Sequence, residues 1–158
     1  MDLRIELVTA PSAELRALIE GLDAALNTKY LPEQRHGLSL DALFAPNIRF
    51  FIAWRGAEPV GCGGVALFED YAEVKRMFVV PAARGQGVAR AVLARLEAEA
   101  LAAGISRLRL ETGDQQHEAM RLYESSGFLP CPAFGNYLDM TAQAIATSVF
   151  LEKPAAPS

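Results

Sequence analysis

Residues 79–93 read VVPAARGQGVARAVL. Val79, Val80 and Pro81 close an apolar run, and Arg84-Gly85-Gln86-Gly87 leads directly into a helix-forming segment. A glycine-rich turn between a strand and a helix leaves backbone N–H groups unpaired at the positive end of the helix dipole, which suits an anionic ligand. Beyond the turn, Val88, Val92, Leu93, Leu96 and Ala100 recur on one face of a helix over 87–103, with Arg90, Arg95, Glu97 and Glu99 off it and Gly104 as the stop. YAEVKRMFVV (71–80) before the turn and ISRLRLET (105–112) after the helix read as strands. The decisive unit is therefore a strand–turn–helix–strand crossover.

The flanking sequence fits around this unit. RIELVTA (4–10) alternates like a first strand, and Pro11-Ser12 with Glu14 starts a helix running to about Leu26. Residues 27–47 are irregular, and IRFFIAWR (48–55) and EPVGCGGVALFE (58–69) flank a hairpin turn. QQHEAMRLYESSGF (115–128) is a helix closed by Gly127, and NYLDM (136–140) and SVFLEK (148–153) supply late strands. Residues 1–153 then make one α/β domain, a mixed and mostly antiparallel sheet of about six or seven strands, with a tail at 154–158 expected to fray.

Composition narrows the function. A chain of 158 residues with 51% hydrophobic and 22% charged residues can bury one full core. A net charge of −4 argues against a nucleic-acid surface, which needs clustered Lys and Arg. Cys62 and Cys131 lie far apart, His36 and His117 are the only histidines, and neither CxxC nor HExxH occurs, so no metal site is expected. Cys62, inside VGCGGVALF, reads as a small buried hydrophobe, and both histidines read as surface residues. No signal peptide or membrane-length apolar run is seen, which makes the cytoplasm the expected setting. The turn itself fails two phosphate-loop patterns: a dinucleotide fingerprint needs glycine where Arg90 stands, and a Walker loop needs a lysine that the turn lacks.

The stretch from Glu73 to Phe128 resembles the GNAT superfamily of acetyl-CoA-dependent N-acyltransferases. Arg84-Gly85-Gln86-Gly87-Val88-Ala89 satisfies that family's Gln/Arg-x-x-Gly-x-Gly/Ala signature. A strand ending Val-x-Pro precedes it, a Leu-Glu-Thr strand follows the helix, and AMRLYESSGF supplies the next helix and turn. The resemblance implies a sheet flanked by helices on both faces that opens as a V between its two central parallel strands. It implies acetyl-CoA as cosubstrate, no metal, and direct transfer of the acetyl group to a primary amine of a small molecule, amino acid or peptide. A monomer or homodimer without nucleic-acid or membrane partners fits this. A non-catalytic acyl-CoA sensor and an interaction domain of the same fold remain open alternatives, separable by titration with CoA.

Individual residues acquire expected roles in the same way. The backbone of Met77, Phe78 and Val79 would pair with the pantetheine arm, and a bulge in that strand would aim an amide at the thioester oxygen. The turn and helix start at Arg84, Gly85, Gln86, Gly87, Val88, Ala89 and Arg90 would hold the pyrophosphate, where glycines keep side chains out of the way. Gln116 stands where the family often has Asn and would touch CoA. Tyr123 occupies the tyrosine of the family's Leu-Tyr-x-x-x-Gly-Phe motif and would protonate the departing thiolate. Glu73, six residues before Val79, has the spacing of a glutamate base, with Glu111 or a water relay as rivals. Tyr30 and His36 lie in the segment that would roof the acceptor pocket.

Overall fold

The computed structural model describes residues 2–157. Its centre is set by the apolar run of β3 (Glu58–Leu67), in which every residue from Val60 to Ala66 is buried. A strand buried on both faces needs cover from two layers. Phe51, Ala53 and Val65 face one layer, and Phe50, Ile52 and Cys62 face the other. The alternation along β2 (Ile48–Arg55) thus assigns one set of side chains to each core.

The sheet has seven strands in the order β1 (Leu3–Leu7), β2, β3, β4 (Ala72–Val79), β5 (Arg107–Gly113), β7 (Ser148–Pro154), β6 (Leu129–Pro130). Every neighbouring pair is antiparallel except β4 with β5. Helix α1 (Ala13–Asn27) starts at Ser12, whose hydroxyl accepts the Leu15 N–H at 3.1 Å, and Leu15, Leu18 and Ile19 pack against Phe50 and Ile52. Helix α2 (Val88–Ala102) covers the opposite face with Val88, Val92, Leu93, Leu96 and Ala100. Full burial of each such aliphatic side chain contributes about 1.5–3 kcal/mol. Tyr123 from α3 (His117–Ser125) and Phe128 join the core beneath α2.

The mixed sheet, the helices on both faces and the crossover agree with the sequence expectations; three local details differ. NYLDM is not a strand: Gly135–Asp139 forms a 3-10 turn, opened by Gly135 at a φ of 55° and anchored by Tyr137 packing on Phe134 and Phe150. The two-residue strand β6, which pairs with β7, replaces it in the sheet. Of the tail expected to fray, Pro154 closes β7 and the Ala155 and Ala156 N–H groups donate to Ser106 O and Glu97 Oε2, while Ser158 lies outside the described residues. Among the described residues no helix is long and apolar enough to cross a membrane.

Candidate active site

Strands β4 and β5 begin side by side and then part. Their register runs through Ala72↔Leu108, Glu73↔Arg109 and Val74↔Leu110 and stops there, although β4 continues to Val79 and β5 to Gly113. The divergence opens a cleft of about 950 Å³. Residues 75–79 therefore present a strand edge with no β5 partner, the place where an extended ligand can add as a strand.

The same strand carries a bulge. Opposite Gly63 of β3, β4 places both Arg76 and Met77, and Arg76 adopts a φ of 57°. A positive φ at a residue with a Cβ costs of order 1–3 kcal/mol and needs support from its surroundings. Support comes from both ends of Arg76: its carbonyl accepts the Cys62 thiol at 3.5 Å, and its Nη2 donates to Asp23 Oδ1 of α1 at 2.6 Å.

At the wide end of the cleft the chain turns through residues 84–87 into α2. Gly85 and Gly87 have φ values of 76° and 83°, and a side chain at either would meet no neighbour within 4 Å. Glycine is required there by backbone conformation, and the space beside it is open. Gly87 is the N-cap without a side-chain cap, and the first turn closes with Ala91 N–H to Gly87 O, so the amides of residues 88–90 have no intrahelical acceptor. An uncapped helix start beside open space is a place where an anion can be held. Arg84 and Arg90 are exposed at its rim, with Arg84 Nε donating to Val79 O at 3.1 Å and the Arg90 guanidinium donating to Ser125 Oγ at 3.0 Å.

Met77, Phe78, Val79, Arg84, Gly85, Gly87, Val88, Ala89 and Arg90 all line this cleft, as do Gln116 and Tyr123 on the α3 side and Glu73 and Glu111 at its floor. Gln86 does not: its side chain turns back to donate to Ala82 O at 3.5 Å. His117 lines the rim and is exposed, as expected. His36 departs from its expected surface position. It is half-buried in the cleft wall, hydrogen-bonded through Nε2 to Ala144 O at 2.8 Å and edge-on to Tyr137. Tyr30 is buried, with its hydroxyl accepting the Gln115 N–H at 2.8 Å.

Two ionisable centres meet in the cleft. Glu73 is buried, and its Oε2 accepts the Tyr137 hydroxyl at 2.7 Å and Lys75 Nζ at 3.2 Å, while Lys75 also donates to Tyr137 at 3.3 Å. Across the splay, Ser148 Oγ donates to Glu111 Oε2 at 2.6 Å; burial pushes the Glu111 carboxyl upward, against that hydrogen bond and the nearby His36 and Lys75. Tyr123 packs edge-on to Phe128 in the core, and burial, reinforced by Glu111, pushes its phenol above the ordinary tyrosine value. That direction favours the protonated phenol. Cys62 is fully buried with its thiol pushed up to about 12 by desolvation, which agrees with its reading as a small hydrophobe.

Lys75, Arg76 and Tyr137 were not among the sequence candidates. Lys75 was within reach, since it is two residues from Glu73 and shares its face of the strand. Arg76 depends on a bulge, and Tyr137 on the 3-10 turn that replaces the expected strand. Among the described residues no group of three or more His, Cys, Asp or Glu side chains is placed to hold a metal.

Comparison with known proteins agrees with this geometry. Residues 15–128 match the family model described as the acetyltransferase (GNAT) family. The IAA acetyltransferase of Azospirillum brasilense is 45% identical over 139 residues, covering 87% of this chain and 88% of its own. A solved Klebsiella pneumoniae structure, provisionally assigned as an acyl-CoA N-acyltransferase, superposes with a TM-score of 0.82 at 35% identity over 98% of each chain. The PaiA N-acetyltransferase of Thermoplasma acidophilum, solved in complex with coenzyme A, shares the fold with a TM-score of 0.71 at 19% identity, over 96% of this chain and 99% of its own. With its glycine turn, its splayed parallel pair and these relatives, the chain belongs to the GNAT acetyltransferase family and is an N-acyltransferase.

Proposed function

We propose that this protein moves an acetyl group from acetyl-CoA to a primary amine by direct nucleophilic attack. The observation that carries this reading is that one cleft joins the uncapped start of α2, the free edge of β4 and the Glu73 and Tyr123 side chains. Acetyl-CoA supplies an acyl group already activated as a thioester. In this reading the amides at 85–90 hold the pyrophosphate, and the edge at Met77, Phe78 and Val79 holds the pantetheine arm. An amide freed by the bulge at Arg76–Met77 donates to the thioester oxygen, where negative charge develops.

Proton transfer falls to the two sides of the cleft. An alkyl ammonium with a pKa of about 10 must lose a proton before it attacks, and Glu73 accepts it directly or through one water. Both recorded hydrogen bonds to Glu73 fall on Oε2, which leaves Oε1 for that proton. Tyr123 donates to the departing sulfur. Glu111 is the competing base, because its upward shift brings it toward the range in which a carboxylate takes protons at neutral pH. We place the protein in the cytoplasm as a monomer or homodimer, a setting in keeping with its two free cysteines.

The test is release of the CoA thiol from acetyl-CoA in the presence of a panel of primary amines. Release that needs both protein and amine supports the reading; CoA binding without turnover across the panel would favour a sensor instead.

The hydrogen bond from Tyr137 predicts a further effect. A hydrogen bond to a charged group contributes about 1.5–3 kcal/mol, so Tyr137→Phe should lower kcat/KM for the amine about tenfold through a misplaced Glu73. The KM for acetyl-CoA should stay unchanged in the same steady-state experiment. An unaltered kcat/KM would reduce Tyr137 to packing.

A further inference from the structure

The wall of the cleft facing α1 carries more positive than negative charge. Val74 and Met77 both pack against the core under α2, so the extra residue between Lys75 and Met77 puts Arg76 on the opposite face, with Glu73 and Lys75. There Arg76 Nη2 at 2.6 Å and Arg35 Nη2 at 3.1 Å share a single acceptor, Asp23 Oδ1. Lys75 is paired with Glu73. Three cations, Arg35, Lys75 and Arg76, thus face two carboxylates, Asp23 and Glu73. Both arginines line the cleft, and their side chains are only 21% and 5% exposed.

The arginine pair is incompletely satisfied as well as charged. The Nε atoms of Arg35 and Arg76 are both buried without a hydrogen-bond partner. Gly37 closes over Arg76, leaving no room for a side chain against the guanidinium, and Arg35 also donates through Nη1 to Asn27 Oδ1, so both arginines are held in place. Residues 35 and 36 belong to the segment over the acceptor side, and His36 lines the same wall. Across the cleft Glu111 is engaged by Ser148, whose hydroxyl donates to its Oε2 at 2.6 Å. A simple ammonium entering beside this pair meets two guanidiniums that share a single carboxylate oxygen, and like charges repel there. An acceptor that brings its own anion cancels that repulsion.

Resting on the acetyl-transfer reading above, we propose that the acceptor is an amino acid or similar amino-carboxylate, with its amine toward Glu73 and its carboxylate against the Arg35–Arg76 pair. Arginine suits this role because its planar fork meets a carboxylate with paired hydrogen bonds. Arg35, the more exposed of the two, is the specificity residue, and Arg76 holds it through their shared Asp23.

The experiment measures thiol release with the common L-amino acids, each beside its own carboxamide, which keeps the amine and removes the anion. For the amino acid turned over best, kcat/KM should exceed that of its carboxamide at least tenfold. Arg35→Gln should raise KM for the amino acid at least tenfold, change kcat less than threefold and leave KM for the carboxamide unaltered. Arg35→Lys, which keeps the charge, should restore part of the loss and serves in place of the glutamine variant if that one does not fold. Equal or better turnover of the carboxamides would overturn the inference while leaving acetyl transfer to amines standing. Loss of both acceptors alike in Arg35→Gln would make Arg35 structural and overturn it too. No thiol release with either class would remove the inference together with the reading beneath it.

Discussion

Tyr123→Phe is expected to lower kcat by about 10²-fold or more, the range for a lost proton donor, with a much smaller change in the KM for acetyl-CoA. The substitution keeps the ring that packs against Phe128 and removes only the hydroxyl, so the core beneath α2 should survive intact. Its pH dependence follows from the direction of the phenol's shift. Burial and Glu111 raise it above the ordinary tyrosine value, so the wild type retains the proton through moderately alkaline pH and shows no alkaline loss from this group below about pH 10. The expected pattern in steady-state kinetics is a variant with a depressed kcat across the whole range. Full kcat in the variant would make Tyr123 a packing residue alone.

Glu73→Gln should have an effect of similar size at neutral pH. The substitution preserves shape and an acceptor for Tyr137 while removing the basicity, in a site where Lys75 then loses its carboxylate partner. At neutral pH almost all of an amine with a pKa of about 10 is protonated, and the missing base should reduce kcat/KM by about 10²-fold. At about pH 9.5 a larger share of the amine is already neutral, so the deficit should shrink as pH rises. A pH–rate profile of both proteins with one accepted amine measures this. A constant ratio of rates across that range would leave Glu73 with a positioning role and move the base to Glu111 or a water relay.

What the sequence made legible follows from where local signals were strong. The α2 unit was readable because helical periodicity, two glycines and a flanking proline agree over fifteen or so residues, and local agreement of that kind specifies a structure. The buried run of β3 and the hairpin with β2 were equally plain. The segment 27–47 gave no period, because its two 3-10 turns, Pro32–Gln34 and Asp41–Phe44, are too short to show one. NYLDM is too short to show a period of its own, and tertiary packing of Tyr137 among Phe134 and Phe150 decides for the 3-10 turn.

The candidate site divides along the same line. Residues that act through backbone or through a motif, such as Gly85, Gly87 and Tyr123, could be named in advance. The charged wall could not, since Arg35 and Arg76 lie 41 positions apart in sequence and meet only through Asp23 and a bulge that reverses the face of Arg76. A single residue inserted into a strand changes which side chains share a face, and nothing in the local pattern of AEVKRMFV announces it.

The most direct test of the central claim, that the cleft opened by β4, β5 and the α2 turn binds acetyl-CoA, is isothermal titration of CoA into the wild type and Gly87→Glu. Glutamate at residue 87 sets bulk and negative charge where the pyrophosphate should lie, in open space rather than in the core, and its strain at a φ of 83° is confined to the turn. The account predicts one CoA bound per wild-type chain and an affinity weaker by about tenfold or more in a variant that circular dichroism shows to be folded. Equal affinity in the folded variant would contradict the placement of the phosphate site, and no CoA binding by the wild type would contradict the account as a whole.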